Sequence, residues 1–209
     1  MLGAVGAVVA FDDSIQDFTQ GNRSDTLDKL ADLGEPFGSG SVSLGLIGGD
    51  FAAGLVTDDV KLQETALLGF QGFVLTSALI LGLKLATYRA WPRSGEDFKS
   101  FDGPGTERDN RSVPSGHAAR AFTLATVLAS QYDGDLTVAP VAYGLATLSA
   151  LSRINNDEHW ASDVAFGAVL GCGIGKLAAL TSPFDSASNV ALRPGTRRGD
   201  PGLTVVFSF

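Results

Sequence analysis

Two histidines occur in this chain of 209 residues, and each lies among residues suited to handling an anion. His159 follows Ser152 and Arg153 across a polar stretch, Ile154-Asn155-Asn156-Asp157-Glu158, and precedes Asp163 by four positions. Histidine is the side chain whose ordinary titration falls near neutral pH. If a helix starts near His159, a residue four positions on shares its face. Asp163 would then hold one imidazole nitrogen and leave the other pointing outward as a nucleophile or base. Arg153 adds a planar fork of donors that matches phosphate oxygens. His117 closes the run Pro114-Ser115-Gly116-His117, ahead of an apolar segment from Ala118 to Ala129. These are helix-start signals, and the amides of Ser115 and Gly116 at the positive end of such a helix would favour an anion. A structural His–Asp pair and an ordinary capped helix would carry the same residues, so neither cluster decides alone.

A third cluster, Lys84, Arg89, Trp91, Pro92 and Arg93, ends the apolar stretch Thr65 to Leu83. By itself it reads as a helix C-terminus dressed with cations, which the helix dipole favours. Together the three clusters resemble the type 2 phosphatidic acid phosphatase (PAP2) superfamily, which also contains bacterial non-specific acid phosphatases and vanadium haloperoxidases. The pattern is Lys-x6-Arg-Pro, then Pro-Ser-Gly-His, then Ser-Arg-x5-His-x3-Asp. This chain supplies Lys84 and Pro92, all of Pro114, Ser115, Gly116 and His117, and all of Ser152, Arg153, His159 and Asp163.

The resemblance implies an all-α, compact helical bundle of the acid phosphatase/vanadium-dependent haloperoxidase type. It also implies metal-independent hydrolysis of a phosphomonoester. By the same resemblance His159 is the nucleophile that forms a phosphohistidine, Asp163 orients it, and His117 protonates the leaving group. Lys84, Arg153, Ser115 and Gly116 bind the phosphoryl group. No metal ion or cofactor is expected, although phosphate or vanadate could occupy such a site. The expected substrate is a lipid phosphate or pyrophosphate. A small soluble phosphomonoester, a vanadate-dependent haloperoxidase activity and a weakened or inactive relative are the alternatives. The last arises from one departure: Trp91 stands where the pattern has arginine. Residues before proline avoid helix, and in extended backbone positions two apart face the same way. Arg89 is therefore expected to take over the phosphate contact, with Arg93 as the second choice.

The elements that must position these groups read mostly as helix, over about 4–20, 24–33, 44–55, 61–87, 115–131, 137–151 and 159–180. A long polar loop at 91–113 separates the first cluster from His117. One domain is expected over 1–180, with a motif core at 60–180 and a partly extended tail at 181–209. The net charge is −8, which argues against a nucleic-acid partner and leaves Lys84, Arg89, Arg93, Arg111 and Arg153 as a local positive pocket. The single cysteine, Cys172, excludes an intrachain disulfide and is expected to be buried. Apolar segments fall at 42–57, 65–83, 120–130, 138–151 and 164–180, of which only the second approaches the roughly 18–20 residues needed to cross a bilayer. The mean hydropathy, +0.18, is modest. The expectation is thus buried helices of a compact bundle in a soluble or peripheral protein, with an integral membrane protein as the alternative. The apolar stretch Leu2 to Ala10 has no basic residue before it and reads as a trimmed signal remnant or a first helix. The resemblance implies an extracytoplasmic site, either periplasmic or membrane-associated and facing the periplasm.

Overall fold

The computed structural model describes residues 8–105 and 111–180, and the backbone of residues 190–197 and 200–207. Seven α-helices form the described body: α1 (Asp12–Gly21), α2 (Asp25–Gly34), α3 (Gly40–Thr57), α4 (Val60–Thr87), α5 (Gly116–Gln131), α6 (Val138–Asn155) and α7 (Ala161–Leu180). The all-α expectation holds. Ser24, Ser39, Asp59 and Ser115 each cap a helix by accepting the N–H three residues on, which satisfies one otherwise orphaned donor per helix.

Four boundaries differ from the sequence reading. The helix expected over 4–20 is broken by a turn at Ala10 and Phe11, and α1 starts at Asp12; residues 4–7 lie outside the described residues. Helix α6 continues past residue 151 to Asn155, so Arg153 projects from a helix rather than leading into a loop. Helix α7 begins at Ala161, which leaves His159 in the connector. The tail is a hairpin, not one extended segment: β1 (Val190–Arg197) pairs antiparallel with β2 (Asp200–Phe207), Val190 opposite Phe207. Pro194 and Gly195 broke the alternation that would have marked the first strand. The last two residues, 208 and 209, lie outside the described ones.

Helix α5 is the centre, with α7, α6 and α4 packed around it. Small residues make this possible. A Cβ added at Gly167 or Gly175 of α7 would lie 2.5 Å from the Ser115 carbonyl oxygen and 2.6 Å from that of Thr123, respectively, and one at Gly171 would strike the Ala119 carbonyl. This four-residue spacing of glycines lets two helix backbones touch, as small-residue stripes do in membranes. Opposite, Thr76 of α4 and Thr123 of α5 share a buried hydrogen bond of 2.8 Å.

The apolar helices are not buried in the bundle as expected. Helices α3, α4 and α7 are long and apolar enough to cross a membrane, with mean hydropathies of 1.3, 1.9 and 1.5. Only 17%, 33% and 33% of their apolar windows are buried, so most of that surface faces outward: Val56 on α3, Phe70, Leu75 and Leu81 on α4, Leu177 and Leu180 on α7. Exposed apolar area on this scale marks a surface made for a non-aqueous neighbour. Residues 65–83 of α4 carry no charge and span about 28 Å at 1.5 Å per residue, close to the ~30 Å hydrocarbon thickness. Lys84 follows at once. Composition averaged over the whole chain hid this, because the acidic α1 and α2 and the polar loop offset the apolar helices. Cys172 is half-buried rather than buried.

Candidate active site

The C-terminus of α4, the N-terminus of α5, the C-terminus of α6 and the N-terminus of α7 meet at one end of the body. Tyr88 ends α4 in a left-handed conformation, and the chain then runs extended through Trp91, as the following proline requires. Ser115 caps α5. The connector between α6 and α7 turns back on itself, with the Arg153 carbonyl accepting the N–H groups of Glu158 (3.0 Å) and His159 (3.2 Å).

That turn sets His159 over Asp163. Its Nδ1 lies 3.6 Å from Asp163 Oδ2, slightly longer than a hydrogen bond. A proton on Nδ1 faces the carboxylate and leaves the Nε2 lone pair available. The imidazole is 4% exposed and lies 4.8 Å from the Trp91 ring, centroid to centroid. Burial, with Lys84 and Arg153 nearby, outweighs Asp163 and pulls the His159 pKa down to about 4. His117, in the first turn of α5, is lowered further, to about 3, by burial and then by Arg153, Arg120, His159 and Lys84. Both imidazoles are therefore neutral at pH 7. The same electrostatic neighbours tie the three sequence clusters together: His117 and His159 both feel Lys84 and Arg153.

Asp163 is fully buried and held from several sides. Arg89 Nη1 donates to Oδ1 at 2.5 Å, the Ser112 hydroxyl donates to Oδ2, and the Trp160 N–H donates to Oδ2 at 3.2 Å. The expectation that Arg89 contacts phosphate is corrected here. Arg89 is 1% exposed. Its Nη1 also reaches Ser162 Oγ, its Nη2 reaches Asp12 Oδ2 at 2.8 Å, and Nε and Nη2 both donate to the Phe98 carbonyl. All five donors are spent behind Asp163. Arg93 is exposed and pairs with Glu158, so it is no substitute either.

Ser115 also differs from expectation. Its N–H donates to the Asp163 carbonyl at 3.0 Å, and its hydroxyl accepts from Ala118 N–H; it builds the α5 start rather than offering an amide. Gly116 and His117, the first two helical positions, have N–H groups without intrahelical partners. Lys84 Nζ donates to the Arg111 carbonyl and, at 3.0 Å, to that of Ser112, and lies 5.0 Å from the Trp91 ring centroid. It braces the segment before Pro114 while standing next to His159. Arg153 is 7% exposed, with Nη1 2.9 Å from Glu35 and Nη2 3.8 Å from Glu158. Its partner in the motif, Ser152, is buried and donates to the Ser149 carbonyl.

Three contributors were not named as candidates from the sequence. Asp12, buried, accepts from Arg89, from Ser162 N–H (2.8 Å) and from Ser162 Oγ (2.5 Å). Ser112 grips Asp163 from the long loop. Arg120 reaches the same space as His117; it sits three residues on, and that i, i+3 spacing was the available signal.

Comparison with known proteins bears on the family and the fold. The model of the PAP2 superfamily matches residues 66–185. The lipid A 1-phosphatase of Porphyromonas gingivalis is 45% identical over 67 residues, which make up 32% of this chain and 15% of that protein; the match thus spans well under two thirds of that relative. The crystal structure of LpxE from Aquifex aeolicus aligns with a TM-score of 0.58 at 23% identity, covering 79% of this chain and 92% of that one. The crystal structure of a transmembrane PAP2-type phosphatidylglycerolphosphate phosphatase from Bacillus subtilis aligns at 0.63 and 21% identity, covering 87% and 90%. At these identities the two structures establish the fold. With the family's three motifs gathered at one end of a matching helical fold, and the family match spanning more than half of its residues, this chain belongs to the PAP2 superfamily.

Proposed function

We propose that this protein is a membrane-embedded phosphatase that hydrolyses a lipid phosphomonoester or pyrophosphate through a phosphohistidine on His159. The observation that carries this is the position of the His159–Asp163 pair. It lies beside Lys84, which directly follows the charge-free stretch 65–83 of α4, a stretch long enough to cross the hydrocarbon. A phosphate at that level sits where a lipid headgroup lies, with its chains alongside the outward apolar faces of α3, α4 and α7. The relatives whose names state a substrate act on lipid A and on phosphatidylglycerolphosphate, which are both lipid phosphates.

The steps follow from the groups present. The phosphoryl oxygens are held by Arg153, by Lys84 and by the free amides at the start of α5, which match their charge. The Nε2 lone pair of His159 attacks phosphorus as the P–O bond to the lipid breaks. Asp163 stabilises the positive imidazole that results. His117 donates a proton to the departing oxygen, then accepts one from water as that water attacks phosphorus, breaking the P–N bond and freeing inorganic phosphate and His159. His117 must hold a proton in the first step. Its low pKa is caused partly by the surrounding cations, so an anion bound among them raises it. By the family resemblance the site faces the extracytoplasmic side of the membrane.

The test uses detergent-purified protein with a long-chain phosphatidate, a short phosphomonoester and no added metal. Phosphate release should favour the long-chain lipid. An acid-labile phosphoenzyme should be trapped in the native protein and absent from His159→Ala, which should lose at least a thousandfold in kcat. Undiminished turnover by His159→Ala would remove the nucleophile assignment. Faster turnover of the short ester would remove the lipid assignment.

A further inference from the structure

The family pattern has an arginine where this chain has Trp91, and neither Arg89 nor Arg93 fills the gap. Arg89 is spent on Asp12, Asp163, Ser162 and Phe98; Arg93 is paired with Glu158. Arg120 is differently placed. It lies on α5 three residues after His117, and helical side chains lean toward the N-terminus. Its Nη1 is therefore 3.1 Å from the point a Cβ on Gly116 would occupy, with Nη2 at 3.7 Å. The guanidinium thus covers the start of α5, next to the two free amides. Its Nε donates to the Gly38 carbonyl at 3.1 Å. That carbonyl is itself fixed, because a Cβ on Gly38 would stand 2.7 Å from the His117 carbonyl oxygen and 2.5 Å from Ser149 Oγ.

Among the described residues, no hydrogen bond or ion pair engages Nη1 or Nη2 of Arg120. Arg153 faces the carboxylates of Glu35 and Glu158, although its Nε and Nη1 make no hydrogen bond among the described residues, and Lys84 faces two carbonyls. Arg120 interacts electrostatically with both His117 and Lys84. A half-buried guanidinium, oriented through Nε and with both amino groups open, is the arrangement that takes two oxygens of one phosphoryl group.

We propose that Arg120 replaces the missing motif arginine as a phosphoryl-oxygen ligand, reaching the site from α5 rather than from the end of α4. This rests on the phosphatase reading above. Gly116 then has two purposes: its amide faces the anion, and its lack of a side chain leaves room for the guanidinium. Trp91, freed of the charge, packs at a tilt of 44° against the His159 ring, with Lys84 and Arg93 each 5.0 Å from its ring centroid.

The experiment compares native protein with Arg120→Gln, Arg120→Lys, Trp91→Arg and the Trp91→Arg/Arg120→Gln double variant. For each, kcat/KM, the vanadate inhibition constant and the thermal midpoint are measured in detergent. Arg120→Gln should lose about a hundredfold in kcat/KM and bind vanadate correspondingly weakly, with little change in midpoint. Arg120→Lys should recover part of the loss. Free guanidinium ion should rescue Arg120→Gln, and adding Trp91→Arg to that background should restore at least tenfold. Arg120→Gln within threefold of native in kcat/KM and vanadate inhibition would overturn the proposal. So would a loss that follows the thermal midpoint and is not rescued by guanidinium or by Trp91→Arg. His159→Ala reports separately: if that variant stayed active, the phosphohistidine reading would fail whatever Arg120 does.

Discussion

Replacing Arg89 tests whether the buried cation is a scaffold or a ligand. In the folded protein one guanidinium stands between two carboxylates, Asp12 and Asp163, all three at 0–1% side-chain exposure. Arg89→Met removes the charge and leaves two fully buried carboxylates facing the same space. Breaking a buried pair by deleting one partner costs about 3–5 kcal/mol, and here one deletion breaks two pairs, so the upper end is expected. At ~5 kcal/mol the folding equilibrium falls by nearly four powers of ten. At roughly 2–4 °C per kcal/mol for a chain of this size, the midpoint drops by about 10–20 °C. Asp12→Asn should cost less, and the double variant Asp12→Asn/Arg89→Met should be more stable than Arg89→Met alone, because one of the stranded charges is gone. Thermal unfolding followed by tryptophan emission suits this test: the chain has two tryptophans, Trp91 against His159 and Trp160 with its indole N–H on the Ala90 carbonyl. A midpoint within about 2 °C of native for Arg89→Met, with only KM raised, would refute the scaffold role and return Arg89 to the phosphate pocket.

Two further outcomes follow from the geometry. Both histidines titrate near 6.5 when unfolded but near 4 and 3 in the fold, so below pH 6.5 the unfolded chain binds more protons and stability is lost as pH falls towards 4. The thermal midpoint should decline across that window and decline less in His117→Asn and His159→Asn; identical slopes in all three proteins would contradict the burial argument. Gly171→Leu should destabilise by at least 2 kcal/mol through contact with the α5 backbone, whereas at Gly173 an added Cβ meets nothing within 4 Å and Gly173→Ala should match or exceed native stability; equal unfolding midpoints for the two would contradict the close α5–α7 contact.

The sequence made the motif clusters visible because each is local: Ser115 to His117 within one helical start, Arg153 to Asp163 across one short connector between α6 and α7. Their convergence was inferred by resemblance, and the electrostatic links among His117, His159, Lys84 and Arg153 agree with it. Arg89 was misassigned because alternation in an extended segment tells which residues share a side, not which side holds the ligand; two acids from distant helices decided that. Asp12 could not be found, since its partners Arg89 and Ser162 stand 77 and 150 positions away. The outward apolar helices were misread because periodicity distinguishes a one-sided helix from a two-sided one but cannot say whether the second side meets protein or lipid. Length was the better guide, and residues 65–83 met it.

The bond between Asp12 and Ser162 joins residues separated by 150 positions, and this has a consequence for biosynthesis. At 5–20 residues per second, a ribosome makes the second partner roughly 8–30 s after the first. Throughout that interval Asp12 lacks Ser162, and Arg89, once made, lacks Asp163. His159 and Asp163, the nucleophile and its carboxylate in the proposed mechanism, are made after both Asp12 and Arg89. Under that proposal a nascent chain stays chemically silent until the start of α7 has docked on Asp12.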